Sequence, residues 1–208
     1  MIQFAPLTRI IKHLIIINVL VFVAVYFLPL ANFFGLTNAE LAKTLSFHFP
    51  KFESFEPFQI ITHMFMHADL RHILYNMVGL YFLGTTVENA LGEKRFLTLY
   101  FVAGFVALIA HYIIGYNPVR DVSLLGASGA VSGVVVAFAT LYPNRKLMII
   151  PIPVPVKAVY LVGAYLAYDL YSGFYGGNTG IAHFAHLGGA LAGFILATYW
   201  KKENYRKY

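Results

Sequence analysis

Three short stretches carry side chains whose types suit one another chemically. Gly126-Ala127-Ser128-Gly129 sets a hydroxyl between glycines, at the head of an apolar run that continues to Leu141. Ala182-His183-Phe184-Ala185-His186-Leu187-Gly188-Gly189 supplies an imidazole, and His72 and Asn76 stand four residues apart. A serine hydroxyl is a weak nucleophile until a base takes its proton, and an imidazole, titrating near neutrality, is suited to that task. The oxygen of an attacked carbonyl then needs hydrogen-bond donors. The candidates are the Ser128 backbone N–H, the Asn76 amide and the His72 imidazole, the last two sharing a helix face. Ser128 is thus the candidate nucleophile and His186 the candidate base for acyl transfer. The chain has no cysteine, which excludes disulfides, thiolate catalysis and cysteine-metal sites.

The elements that hold these residues read as membrane helices. The 208 residues are 59% hydrophobic and 12% charged, where a soluble domain is about a quarter charged. The expected fold is all-α, a single polytopic domain of six spans at about 10–30, 70–91, 96–114, 128–142, 156–174 and 181–200. An amphipathic, membrane-associated loop fills 31–69. The first run is too long for a signal-peptide core and is expected to be a retained span. Gly115-Tyr116-Asn117-Pro118, the Arg120–Asp121 loop and Gly176-Gly177-Asn178-Thr179-Gly180 separate later spans. The prolines at 151, 153 and 155 predict a stiff, extended connector. With six spans, both termini share a side. Of the 15 Lys and Arg, only Lys43, Lys51, Arg71 and Arg120 fall on the other side, the rest, including Arg206 and Lys207 in the tail, lying with the termini. The positive-inside rule then predicts cytoplasmic termini in a cell (inner) membrane. The net charge of +6 reads as orientation, not as nucleic-acid binding.

Counting inward from the helix ends places the polar residues in one layer. Ser128 is 15 residues from Pro143, about 22 Å along a helix, in hydrocarbon about 30 Å thick. His186 is equally far from Lys201, Asn76 is 16 residues from Gly92, and His72 lies one turn further out. Gly129-xxx-Gly133 and Gly189-xxx-Gly193 are faces that let two helices approach closely, which would bring Ser128 to His186. Asp169 and Glu88 sit near span ends, so no carboxylate is expected at this depth, and a Ser–His dyad is favoured over a triad. His63 and His67 are expected to be hydrogen-bonded anchors of the loop. His111 and His183 have no assigned role beyond structure, and Ser132 reads as a small packing residue.

The run His67-Ala68-Asp69-Leu70-Arg71-His72-Ile73-Leu74-Tyr75-Asn76, then Gly126-Ala127-Ser128-Gly129, then Ala182 to Gly189, resembles the rhomboid intramembrane serine proteases over about residues 55–200. The resemblance implies a minimal six-helix bacterial form with Ser128 as nucleophile, His186 as general base, and His72, Asn76 and the Ser128 N–H as oxyanion contributors. It implies substrates that are transmembrane helices of other proteins in the lipid bilayer, a membrane-embedded first loop, and span five as a movable gate. No cofactor and no metal are implied, and oligomeric state is not legible. Two departures stand out. Ser132 replaces an aromatic residue that many bacterial relatives place four after the nucleophile, and Phe58-Gln59 replaces a Trp-Arg pair in the loop. Two other readings stay open: a catalytically silent relative that only binds membrane helices, and a metal-dependent membrane protein built on His63, His67, His183 and His186.

Overall fold

The computed structural model describes residues 6–114, 123–149, 152–176 and 182–205. The expected loops at 115–118 and 120–121, Pro151, most of the 176–180 glycine loop, and tail residues Arg206 and Lys207 lie outside them.

Helix α1 (Arg9–Tyr26) begins against a carboxylate from elsewhere in the chain. Ile10 and Ile11 donate their backbone N–H groups to buried Glu88 at 3.0 and 2.9 Å. A negative group there meets both the free N–H donors and the positive end of the helix dipole. The loop that follows carries α2 (Leu30–Phe33), α3 (Asn38–Leu45), α4 (Gln59–Thr62) and a 3₁₀ turn at His63–Phe65. Thr37 and Glu40 cap α3 reciprocally, so this helix stands without any buried residue of its own. Helix α5 (Leu70–Gly79) is capped by Asp69 and runs through a π-helical turn (Leu80–Gly84) into α6 (Thr85–Leu91). Gly92, at φ +80°, turns the chain into α7 (Glu93–Ile114). Helix α8 (Ser128–Leu141), a hairpin of β1 (Lys146–Ile149) and β2 (Ile152–Lys157), α9 (Ala158–Tyr175) and α10 (His183–Tyr205) complete the order.

The described residues are mostly helical, as expected, and the hairpin is a local departure from the all-α expectation. The prolines do enforce extended backbone, but the strand they form pairs antiparallel with β1, Lys146 opposite Lys157 and Leu147 opposite Val156. A two-stranded hairpin is all edge, so prolines at 153 and 155 are accommodated.

Helix α8 is buried along most of its length, from Gly129 to Ala139, as an element apolar all round should be. Its principal neighbours are α10 and α7. Large apolar side chains instead cover the outside: Leu20 on α1 and Phe27 just after it, Ile113 on α7, Tyr160 and Phe174 on α9, Leu191 on α10. An outer surface of this kind suits hydrocarbon. By length and composition, α1 and α7 are each able to cross a membrane; α8 is apolar but has 14 residues.

The glycines of α8 and α10 face one another. A Cβ built on Gly189 would collide with the carbonyl of Gly129, and one on Gly193 with the carbonyl of Gly133. Backbone cannot yield as a side chain can. Gly189→Ala is therefore expected to destabilise the protein by about 1–3 kcal/mol, read as a lowered unfolding temperature in detergent. An unchanged temperature would mean the two helices can separate freely.

Candidate active site

The segment that leads into Ser128 is held by the first loop through backbone bonds. Phe47 and Leu124 exchange both N–H···O bonds at 2.8 Å, and the Gly126 N–H donates to the His63 carbonyl at 2.8 Å. The loop is tied internally by Gln59, which is fully buried. Its amide donates to the carbonyls of Thr44 and Ser54 at 3.0 and 2.9 Å, and its oxygen accepts from the His48 N–H at 3.1 Å. Gln59 thus supplies an anchor at the position where the resemblance leads one to expect a Trp-Arg pair. Thr62 adds a bond to the Leu45 carbonyl at 2.7 Å.

His63 meets its expectation as an anchor, bonding through Nδ1 to the Gln59 carbonyl at 2.8 Å. His67 does not. Neither ring nitrogen finds a hydrogen-bond partner among the described residues, and the ring packs edge-on against His72 with centroids 5.0 Å apart. Space beside His72 is filled by packing, which spacing alone does not reveal. Burial pushes both imidazoles down to about 4, His67 being lowered further by neighbouring His72. An unfolded histidine titrates near 6.5, so between pH 6.5 and 4 the unfolded chain binds more protons. Stability is therefore full above pH 6.5 and falls as pH drops towards 4, by at most about 1.4 kcal/mol per unit for each ring. The unfolding temperature in detergent should fall across that window, and His67→Gln should flatten the slope. A flat profile would contradict the burial argument.

Ser128 opens α8, so its N–H belongs to the first turn, whose donors have no partner within the helix. Gly126 precedes it at φ +120°, a conformation that L side chains rarely adopt, and a Cβ there would come within 2.7 Å of His72 Cε1 and Nε2. Only glycine lets the His72 ring reach this point. The Ala68 N–H donates to His72 Nδ1 at 3.3 Å. A ring that accepts at Nδ1 carries its proton on Nε2, on the edge of the ring beside Gly126. One turn on, the Asn76 amide donates to the His72 carbonyl at 2.9 Å, which leaves its second N–H for another acceptor. Ser128, His186, His72 and Asn76 all line one cavity of about 650 Å³, with Tyr75, Val131 and Val135 among the apolar wall residues.

The surroundings of His186 differ from expectation in two ways. First, a carboxylate does stand at its level. Asp169 of α9, 1% exposed, lies 3.2 Å through Oδ2 from His186 Nδ1 and 2.7 Å through Oδ1 from His183 Nδ1. Counting from Lys201 hides that His186 lies only three residues inside its own helix, while Asp169 lies six residues before the end of α9. A short connection joins α9 to α10, so both lie in one layer. Nearness to that shared connection was the available signal. Second, Ser132 is more than filler. Its hydroxyl donates to the Ser128 carbonyl at 2.8 Å and lies 2.7 Å from the Tyr165 hydroxyl. The Tyr165 ring then sits 6.2 Å from the His186 ring, tilted by 38°. The aromatic neighbour absent at position 132 is supplied by α9.

Asp169, His183 and His186 also place one ligand atom each within 4.8 Å of one another, a set with metal-binding chemistry. His63 and His67 are not part of that group. His111 stacks on Phe49 of the loop, centroids 5.5 Å apart.

Comparison with known proteins gives a consistent picture. Residues 54–203 match the Rhomboid domain. The chain is 34% identical to RHOMBOID-like protein 12, mitochondrial, of Arabidopsis thaliana over 164 residues, 71% of this chain and 47% of that protein. It is 36% identical to the presenilin-associated rhomboid-like protein, mitochondrial, of Rattus norvegicus over 146 residues, 67% of this chain and 38% of the relative. Rhomboid protease GluP of Bacillus subtilis is 29% identical over 143 residues, 68% of this chain and 26% of GluP. The matched region spans less than half the length of each of these relatives. The mitochondrial names overturn the expectation of a cell (inner) membrane with cytoplasmic termini. Charge bias had set a sidedness, and nothing in it distinguishes one bilayer from another.

Proposed function

The chain belongs to the rhomboid family, and from that membership we propose that it is a serine endopeptidase that cuts transmembrane segments of other proteins within the bilayer. The observation that carries this is the meeting of Ser128, His186, His72 and Asn76 in one cavity. All six long helical stretches cross the membrane in this reading, and the names of the relatives point to a mitochondrial membrane as its place.

Each step uses groups of the chain itself. Ser128 Oγ attacks the scissile carbonyl carbon while His186 Nε2 takes the hydroxyl proton. The oxyanion is held by the Ser128 N–H, the Asn76 amide and His72 Nε2–H. The intermediate collapses as His186 gives its proton to the leaving amine. Water, deprotonated by His186, then hydrolyses the acyl-enzyme and restores Ser128. A substrate helix has its carbonyls engaged in internal hydrogen bonds, so the cut falls where small or helix-breaking residues let it unwind.

The test uses the purified chain in detergent with a reporter transmembrane segment and a fluorophosphonate probe. The expected result is cleavage of the segment and covalent labelling at Ser128, both insensitive to EDTA. Binding of the segment without cleavage or labelling would establish a silent helix-binding protein instead. Loss of cleavage in EDTA would shift the reading to metal-dependent chemistry.

A further inference from the structure

Helix α9 touches the proposed base from two sides. Tyr165 and Asp169 are four residues apart and therefore share a face of α9. The first sets its ring beside His186, and the second sets a buried carboxylate 3.2 Å from His186 Nδ1. The same carboxylate holds His183 Nδ1 at 2.7 Å, and the Tyr165 hydroxyl is fixed by Ser132 on α8 at 2.7 Å. These links join α8, α9 and α10 around one imidazole. The geometry points to Asp169 and Tyr165 as positioning residues for His186, so that the base is aligned only while α9 is seated against α8 and α10.

The chemistry follows from which nitrogen bears the proton. A carboxylate accepts and does not donate, so it selects the tautomer with hydrogen on Nδ1. Nε2 is then a lone pair, free to take the Ser128 proton. Without Asp169 the ring is free to protonate Nε2 instead and to rotate about its side-chain bonds. The Tyr165 ring limits that rotation, and the Ser132–Tyr165 bond fixes the tyrosine. His183 shares the carboxylate and keeps it from turning away from the pair. Neither Asp169 nor Tyr165 needs to touch the substrate's reacting atoms to act in this way.

This inference rests on the protease reading, and the test separates the two. Wild type, Asp169→Asn, Asp169→Glu, Tyr165→Phe and Tyr165→Ala are compared in detergent for kcat, KM, fluorophosphonate labelling and unfolding temperature. Asp169→Asn should lower kcat by about 10²–10⁴-fold with KM unchanged, because an amide accepts and donates and no longer selects the tautomer. Asp169→Glu should recover part of the loss. Tyr165→Phe keeps the ring and should stay within a few-fold of wild type, while Tyr165→Ala should lose about 10-fold or more. A downfield Nδ1–H proton resonance assigned to His186, distinguished from that of His183 by its persistence in His183→Asn, should be present in wild type and lost in Asp169→Asn. That signal reports the bond even if a variant is less stable. Wild-type kcat in Asp169→Asn would overturn the inference and leave the protease reading intact, and so would a loss confined to KM and unfolding temperature. EDTA-sensitive activity restored by zinc would also overturn it, making the Asp169 cluster a metal site. A wild type that neither cuts nor labels would remove the protease reading itself.

Discussion

Ser128→Ala is expected to lower cleavage of a reporter transmembrane segment by about 10⁴–10⁶-fold, the loss seen when the nucleophile of a serine protease is removed. The fold should survive the change. The Ser128 carbonyl still accepts from Ser132, its N–H still opens α8, and the glycine contacts between α8 and α10 involve no atom of the serine side chain. Unfolding temperature and segment binding should therefore match wild type, while fluorophosphonate labelling disappears. Ser132 is a poor substitute nucleophile, since its hydroxyl is committed to the Ser128 carbonyl and paired with Tyr165. Retained cleavage in Ser128→Ala would mean that another group performs the attack and would remove the assignment.

His186→Gln is expected to be nearly as severe. Glutamine keeps an amide that can donate towards Asp169, so the buried carboxylate is not stranded, but it offers no base at neutral pH. A loss of about 10⁴–10⁶-fold should fall on kcat, measured in single turnover. The double variant Ser128→Ala with His186→Gln should be no worse than either alone, because a nucleophile without its base and a base without its nucleophile lose the same step. Additive losses would show that the two residues act independently.

Much of the site was legible because its chemistry is spelled by residue type at short spacing. Ser128 between glycines, His72 four before Asn76, and the matched glycine pairs of α8 and α10 are local patterns, and helix periodicity turns local spacing into shared faces. What was not legible depends on how helices stand beside one another. Asp169 and Tyr165 reach His186 from a helix whose orientation no spacing on α10 states. Gln59 was read as a departure because its partners are backbone carbonyls of Thr44 and Ser54, which carry no signal in the side-chain sequence. The hairpin was missed for a related reason. Prolines at 153 and 155 announce extended backbone, but their spacing does not name the partner strand at Lys146–Ile149. Glu88 likewise gave no sign in sequence that it would close the start of α1, since its donors lie in a distant segment.

The order of the helices has a bearing on how the chain is made. In the proposed mechanism the nucleophile stands at the start of α8, whereas the base stands on α10, after the hairpin and α9. At a synthesis rate of ~5–20 residues per second, several seconds separate the two. A nascent chain that has already inserted α8 therefore holds Ser128 without His186, beside unfolded neighbours that are themselves membrane segments. In that mechanism it stays inert until α10 inserts and its glycines seat against those of α8. Under the protease reading, ribosome-bound intermediates arrested before residue 183 should accordingly resist fluorophosphonate.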